Sequence, residues 1–421
     1  MAKRVRAVEQ PVTITLDGER VEAQAGEPVA VALVGADKVA LARSPKLHRP
    51  RGPWCLRGGC DGCLARVDGV PNVMTCLVPA AEGTRVETQN VLGSRTVDLL
   101  RVTDWFFPDG IDHHHLMAGV PGLSSVMQAF ARRVAGLGRL PERTLPVQPG
   151  HASTPDVLVV GAGAAGLAVA ATLAARGRSV TLVDDGLVVG GGVLALGADA
   201  TARLGRECVL DRVDVKLRTV AASLDEGRCL VVGPGGADVI APRALVLATG
   251  AHDGGALFEN NDLPGVYAAR AAARLAASGV RVGERVVLAG EGPFGEALRR
   301  LLAGHATIES VPLADVLKAE GSSRVGAVVV RDGEGKKRIR CDALVVEARG
   351  APAFELVEQA GAGVRWDGGG FAPDTAAPAT APVTGRVWVV GEARGRAFDL
   401  DALLDEGRAV AGAIDSVLSA G

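Results

Sequence analysis

Apolar and polar residues alternate through VTITLDGERVEAQ (12–24), with Asp17-Gly18 at the midpoint. A period of two around a D-G pair predicts a β-hairpin. GEPVAVALVGAD (26–37) reads as a short helix, and LARVDGVPNVMTC (64–76) as a second hairpin around Asp68-Gly69. Residues 11–95 are therefore expected to form a small β-rich domain. After residue 96 the period lengthens. In SSVMQAFARRVAGLGRLPE (124–142), Val126, Phe130, Val134 and Leu137 share one helical face. Ser124 or Ser125 caps its start and Pro141 stops it. TLPVQPGHASTP (144–155) reads as an extended linker.

From residue 155 strand, turn and helix repeat, the pattern of a doubly wound α/β fold. DVLVVGAGAAGLAVAATLAARGRSVTLVDD (156–185) is the first unit and RALVLATG (243–250) a later strand. ERVVLAGEGPFGEALRRLLAG (284–304) is a second Gly-rich unit. RVGAVVVRDGEGKKRIRCDALVVEARG (324–350) contains a hairpin, and RVWVVGEARG (386–395) a last strand and turn. The uncharged run 157–175 is long enough to mimic a membrane span. Its β-branched residues precede the glycines and small residues follow, which favours a buried strand, turn and helix.

Charge narrows the function. The net charge is −2, aromatics are 3%, and no long basic block occurs. Nucleic-acid binding would need a basic footprint and stacking rings, so it is disfavoured. The start MAKRVRAVEQ is basic without an apolar stretch behind it, so no export signal is expected and the cytoplasm is the expected compartment. In that reducing setting clustered cysteines are metal ligands more often than disulfides.

Four of the seven cysteines, Cys55, Cys60, Cys63 and Cys76, are spaced C-x4-C-x2-C-x12-C. A structural zinc site usually joins two C-x2-C knuckles, and only Cys60 and Cys63 make one. The C-x4-C-x2-C opening is the plant-type [2Fe–2S] pattern, favoured here over zinc. Gly58, Gly59 and Gly62 let the loop curl with N–H groups aimed at the sulfurs.

Gly161, Gly163 and Gly166 form G-x-G-x-x-G between a strand and an Ala-rich helix, a pyrophosphate cradle. Asp184, rather than Asp185, ends the next strand and is placed to accept from ribose hydroxyls. The bland reading is a tight turn without a ligand; strand, helix and acid together weigh against it. Gly290, Gly292 and Gly295 repeat the fingerprint, with Glu309 as the ribose acceptor. Its helix is shorter and ATIESV a thin strand, so this unit stays open between a nicotinamide nucleotide site and a scaffold that binds none. Asp112-His113-His114-His115 invites a metal reading, yet adjacent residues do not face one way, so a bridge role is preferred. GKKRIR (335–340) reads as a solvated hairpin edge, and Cys208, Cys229 and Cys341 as isolated structural thiols.

GAGAAG, VDD, GGG (190–192), ATG (248–250) and VVGEARG (389–395) together resemble the FAD signatures of glutathione-reductase-like flavoproteins. That resemblance implies Gly191, Thr249, Gly250 and Gly391 near FAD, with Glu392 standing where the family has Asp. The redox cysteine pair of the disulfide reductases is absent. The cysteine segment with its flanks, and FENNDLPGVYAARAAARL (258–275), resemble sarcosine oxidase α subunits, hydrogen cyanide synthase, and opine and hydroxyproline dehydrogenases. Sarcosine oxidase α subunits often lack the thiols and continue into a folate-type domain. This chain keeps all four and stops at 421, so it resembles a fusion of separate cyanide-synthase-type subunits. The implied architecture is an α+β, β-grasp ferredoxin-like domain (1–95), a bridge (96–153), an α/β, Rossmann-like FAD-binding domain (154–265 plus 366–421) and an NAD(P)-binding-like domain (266–365). The implied cofactors are FAD and a [2Fe–2S] cluster, with NAD(P) left open. The implied activity relays electrons from a partner FAD-containing oxidase that acts on an amine or amino acid. The alternatives are a self-sufficient NAD(P)H-dependent reductase and a non-catalytic scaffold.

Overall fold

The computed structural model describes residues 1–44, 48–89, 91, 93–95, 97–102, 122, 123, 125, 126, 128, 129, 148–374 and 376–420. The Asp112–His115 run and the helical face through Phe130, Val134 and Leu137 lie outside them.

Both D-G hairpins form. Pro11–Leu16 pairs antiparallel with Glu19–Gln24, and Leu64–Val67 with Val70–Met74. Asp17, Gly18, Asp68 and Gly69 all have positive φ, as a two-residue turn matching the strand twist requires. Arg85–Glu87 joins the hairpins into one five-stranded sheet. The helix Val29–Gly35 covers it with Val29 to Val34 all buried.

Two parallel sheets follow. Val213–Lys216, Val180–Val183, Val157–Val160, Ala244–Leu247 and Val387–Val389 lie in that order. Their central strands are almost wholly apolar and buried because helices cover such sheets. The helix Ala164–Ala175 packs on the C-terminal helix Leu400–Ala420 at close range, Gly407 lying against Ala165 and Ala168. The second sheet orders Val266–Ala268, Ala343–Val346, Arg285–Ala289 and Thr307–Val311. The run 157–175 is thus strand, turn and buried helix. Among the described residues no helix is long and apolar enough to cross a membrane. Gly335–Arg340 is the exposed outer strand of a three-stranded sheet.

The N-terminal sheet is not a separate bead. Its helix shares one core with the helix Ala269–Ala277, Leu33 and Val34 joining Leu275 and Ala276. Lys3–Arg4 pairs with Val280–Arg281, and Arg324 bonds Asp37 at 2.9 Å. The Ala268 N–H donates to the Trp54 carbonyl at 3.1 Å, next to the first cysteine. These contacts fix where the cysteine loop sits relative to the Gly-rich turns.

Candidate nucleotide and cluster sites

The cysteine loop curls as its glycines require. A Cβ on Gly62 would lie 1.9 Å from the Gly52 carbonyl oxygen, so no larger residue fits that crossing. The four sulfurs fall into two pairs. Cys55 and Cys60 lie 3.4 Å apart, and Cys63 is hydrogen-bonded to Cys76, which the second hairpin returns. Among the described residues no three ligating side chains converge on one ion. Two pairs suit the two irons of a [2Fe–2S] cluster better than one tetrahedral zinc. Backbone N–H groups point at the sulfurs, Gly58 to Cys76 at 3.3 Å and Arg57 to Cys55 at 3.5 Å. Within each pair one thiol keeps the proton that the other yields. The hydrogen bond from Cys55 lowers Cys60 to about 6, and that from Cys76 lowers Cys63. Cys208, Cys229 and Cys341 are buried alone, and burial raises them to about 11, 11 and 12.

The first Gly-rich turn is built to approach a phosphate. Gly161, at φ +108°, has no room for a side chain: a Cβ would meet the Ala248 carbonyl oxygen at 2.2 Å. A Cβ on Gly166 would lie 2.0 Å from the Gly161 carbonyl oxygen. Gly163, between them, has nothing within 4 Å of its Cβ position and faces a cavity of about 300 Å³. Asp184, Gly191, Thr249 and Gly250 border the same cavity. Open space over the second glycine and bare N–H groups at a helix start fit a dinucleotide pyrophosphate.

Several of the expected contacts differ in detail. Asp184 braces the turn, its carboxylate accepting from the Ala162 and Gly186 N–H groups at 2.6 and 2.8 Å. Its remaining lone pairs are what a ribose would use. Asp185 is exposed to the cavity but ringed by protein, and burial followed by the Asp184 charge raises its carboxyl. The Thr249 hydroxyl donates to the Ala353 carbonyl at 2.8 Å. Gly391 lies behind the wall, its N–H donating to Glu406 at 2.7 Å. Glu392 borders the cavity, but Arg270 holds it at 2.6 Å and also reaches Asp253 at 3.3 Å.

The sequence reading missed the guanidinium groups. Arg57, inside the cysteine loop, donates to the Ala251 carbonyl at 2.7 Å and lines the cavity. Arg274 is half-buried beside it, donates to the Leu56 carbonyl at 3.3 Å, and lies near Asp184 and Asp185. Cys55, Gly59 and Cys76 border this cavity too. The cluster loop is therefore one wall of the first nucleotide site, which no linear motif announces.

In the second unit Gly290, Gly292 and Gly295 form the same turn before the helix Pro293–Leu301, three residues shorter than the first. Glu309 is exposed and paired with Lys337 at 2.8 Å. Glu347, unnoticed in the sequence, accepts from the Gly295 N–H at 2.5 Å. Burial, outweighing that bond, pushes its carboxyl up to about 7. The folded state then holds this proton more tightly than the unfolded chain, so the group's contribution to stability falls as pH rises from the ordinary carboxyl range through about 7. Glu347→Gln is expected to stabilise the fold more at about pH 8 than at about pH 5, by on the order of 2 kcal/mol in urea titrations.

The fold and these two sites define a ferredoxin-type cluster domain joined to a two-dinucleotide-binding flavoprotein. Residues 9–91 match the 2Fe-2S iron-sulfur cluster binding domain, and residues 155–295 the pyridine nucleotide-disulphide oxidoreductase family. These matches set a cluster-binding domain ahead of a flavoprotein-type oxidoreductase domain, and the chain is similar to the sarcosine oxidase α subunits. It is 28% identical to the sarcosine oxidase α subunit of Rhizobium meliloti (strain 1021) over 383 residues, 83% of this chain and 38% of that protein. An opine oxidase subunit of Agrobacterium tumefaciens (strain Ach5) is 34% identical over 198 residues, 41% of this chain and 39% of that one. The chain thus spans under two-fifths of the length of these curated relatives. Among solved structures, L-proline dehydrogenase from P. horikoshii shares the fold with a TM-score of 0.76 at 21% identity, over 99% of this chain and 76% of that one. T. acidophilum thioredoxin reductase covers 63% of this chain and 99% of its own at a TM-score of 0.52 and 17% identity.

Proposed function

We propose that the chain is an electron-relay subunit of an amine or amino-acid dehydrogenase complex. A partner flavoprotein oxidises the substrate, of the class of glycine, sarcosine or a proline derivative, and passes electrons to this chain. The observation that supports this most is the shared wall: Arg57, Gly59 and Cys76 border the same cavity as Gly161 and Asp184. Bound flavin supplies two-electron chemistry and a [2Fe–2S] cluster one-electron chemistry. The chain supplies position and field. Gly161, Gly163 and Gly166 seat the pyrophosphate, Asp184 offers the ribose an acceptor, and Arg57 and Arg274 set positive charge beside it. Cys55 with Cys60 and Cys63 with Cys76 hold the cluster, their sulfurs steadied by backbone N–H groups that also tune its potential. Relatives named as oxidase subunits support the placement in a complex, and free buried thiols suit a reducing cytoplasm.

Anaerobic addition of NADH or NADPH to the holoprotein is expected to leave flavin and cluster absorbance unchanged. Addition of the amine with its co-purified oxidase partner is expected to bleach both. Rapid bleaching by either nucleotide would instead make the chain an NAD(P)H-dependent reductase. A protein that takes up neither flavin nor iron on reconstitution would leave only a scaffold.

A further inference from the structure

The second Gly-rich unit carries the backbone of a dinucleotide site and an internal control for reading it. In the first unit Val160 pairs with Leu247, and Ala248 follows, its N–H donating to the Val160 carbonyl at 2.8 Å. In the second, Ala289 pairs with Val346, and Glu347 follows, its N–H donating to the Ala289 carbonyl at 2.8 Å. A Cβ on Gly161 would strike the Ala248 carbonyl oxygen at 2.2 Å, and one on Gly290 the Glu347 carbonyl oxygen at 2.2 Å. Ala248 and Glu347 are thus the same position in two copies of one motif. The difference between them is a side chain.

At the first unit the methyl group of Ala248 leaves the turn open, and Gly163 faces empty space. At the second the side chain of Glu347 folds over the turn. A Cβ on Gly292 would find Glu347 Oε1, Cδ and Cγ at 2.6, 2.7 and 2.8 Å. The second glycine of this fingerprint exists to let backbone approach a pyrophosphate. Here it approaches a carboxylate, and the Gly295 N–H at the start of the helix is already bonded to it.

The surroundings reinforce the block. The adjoining cavity, about 240 Å³, is bordered by Asp253, Glu291, Glu347 and Glu392 and by Arg270, Arg349 and Arg396. Asp253 is buried, with Oδ2 lacking a hydrogen-bond partner. Each of these guanidinium groups is already paired, Arg270 with Asp253 and Glu392, Arg349 with Asp367 and Arg396 with Glu406, so a pyrophosphate would have to compete with carboxylates for them. Glu309, where the ribose acceptor belongs, is engaged with Lys337 on the surface.

We propose that Glu347 is a built-in occupant of the second dinucleotide site and denies it to NAD(P)H, so that the chain takes electrons only from its protein partner. This rests on the partner-fed reading above and gives it a residue. Glu347→Ala turns the second unit into a copy of the first. The test is calorimetric titration of the FAD-loaded holoprotein with ADP-ribose, which carries the pyrophosphate and both riboses but no hydride. Wild-type protein should show no saturable binding, and Glu347→Ala should gain affinity by at least about tenfold. Should that variant fail to load FAD, Glu347→Ser is judged by the same standard. A folded, FAD-loaded variant that binds no better than wild type would overturn the role of Glu347 while leaving the partner-fed reading standing. Saturable binding by wild type, with bleaching by NADH, would overturn both.

Discussion

Cys60→Ser is expected to abolish the visible absorption and the reduced-state EPR signal of the cluster while FAD remains bound. Cys60 is a thiol that yields its proton readily, lowered to about 6 by its bond with Cys55. A serine hydroxyl at that point would leave one of the two irons with a single cysteine ligand from the protein. Even loss of a supporting group around a metal typically costs about 10- to 100-fold in affinity, so loss of a ligand should cut bound iron by more than tenfold. The flavin should survive because its turn stands on the parallel sheet from Val157 onward, which Cys60 does not touch. The shared core of Leu33, Val34, Leu275 and Ala276 should keep the domains together. Flavin and fold lost together would show that the cluster is required to assemble the whole chain. Iron content, flavin content and circular dichroism on one preparation decide between these outcomes.

Gly166→Ala should produce the opposite phenotype, an iron–sulfur protein without its flavin. The new methyl carbon would lie 2.0 Å from the Gly161 carbonyl oxygen and 3.0 Å from the Ala248 Cβ. The atom struck is backbone, so the helix Ala164–Ala175 must move off the strand. Overpacking of this kind costs about 1–3 kcal/mol, here with misalignment of the N–H groups that hold the pyrophosphate. Flavin occupancy should fall by at least about tenfold, while Cys55, Cys60, Cys63 and Cys76 still take up iron. Unchanged flavin content would mean that this turn is not where the dinucleotide binds.

The contrast between those variants follows from what local sequence does and does not encode. The D-G hairpins were legible because Asp17-Gly18 and Asp68-Gly69 satisfy a turn geometry that two residues decide alone. The cysteine spacing was legible because loop closure around a cluster is also local. The strand–turn–helix units could be read from their apolar runs and glycines. Arg57, Arg274 and Glu347 were not legible as site residues, since each acts across elements far apart in sequence. Arg57 enters the first cavity because the N-terminal domain shares a core with Ala269–Ala277. Glu347 covers Gly292 only because the register sets Val346 beside Ala289. Glu392 shows the same limit. It stands where the motif has Asp, and its partner Arg270 lies on a helix whose placement the motif does not contain. The shared wall between the cluster loop and the first nucleotide site is a tertiary fact of this kind.

That shared wall carries the functional account, and it can be tested without a substrate or a partner. Flash photoreduction of the flavin in anaerobic holoprotein, with cluster absorbance followed in time, measures transfer inside one chain. The account predicts first-order reduction of the cluster at a rate independent of protein concentration. A rate that scales with protein concentration, or a cluster that stays oxidised beside a reduced flavin, would contradict it.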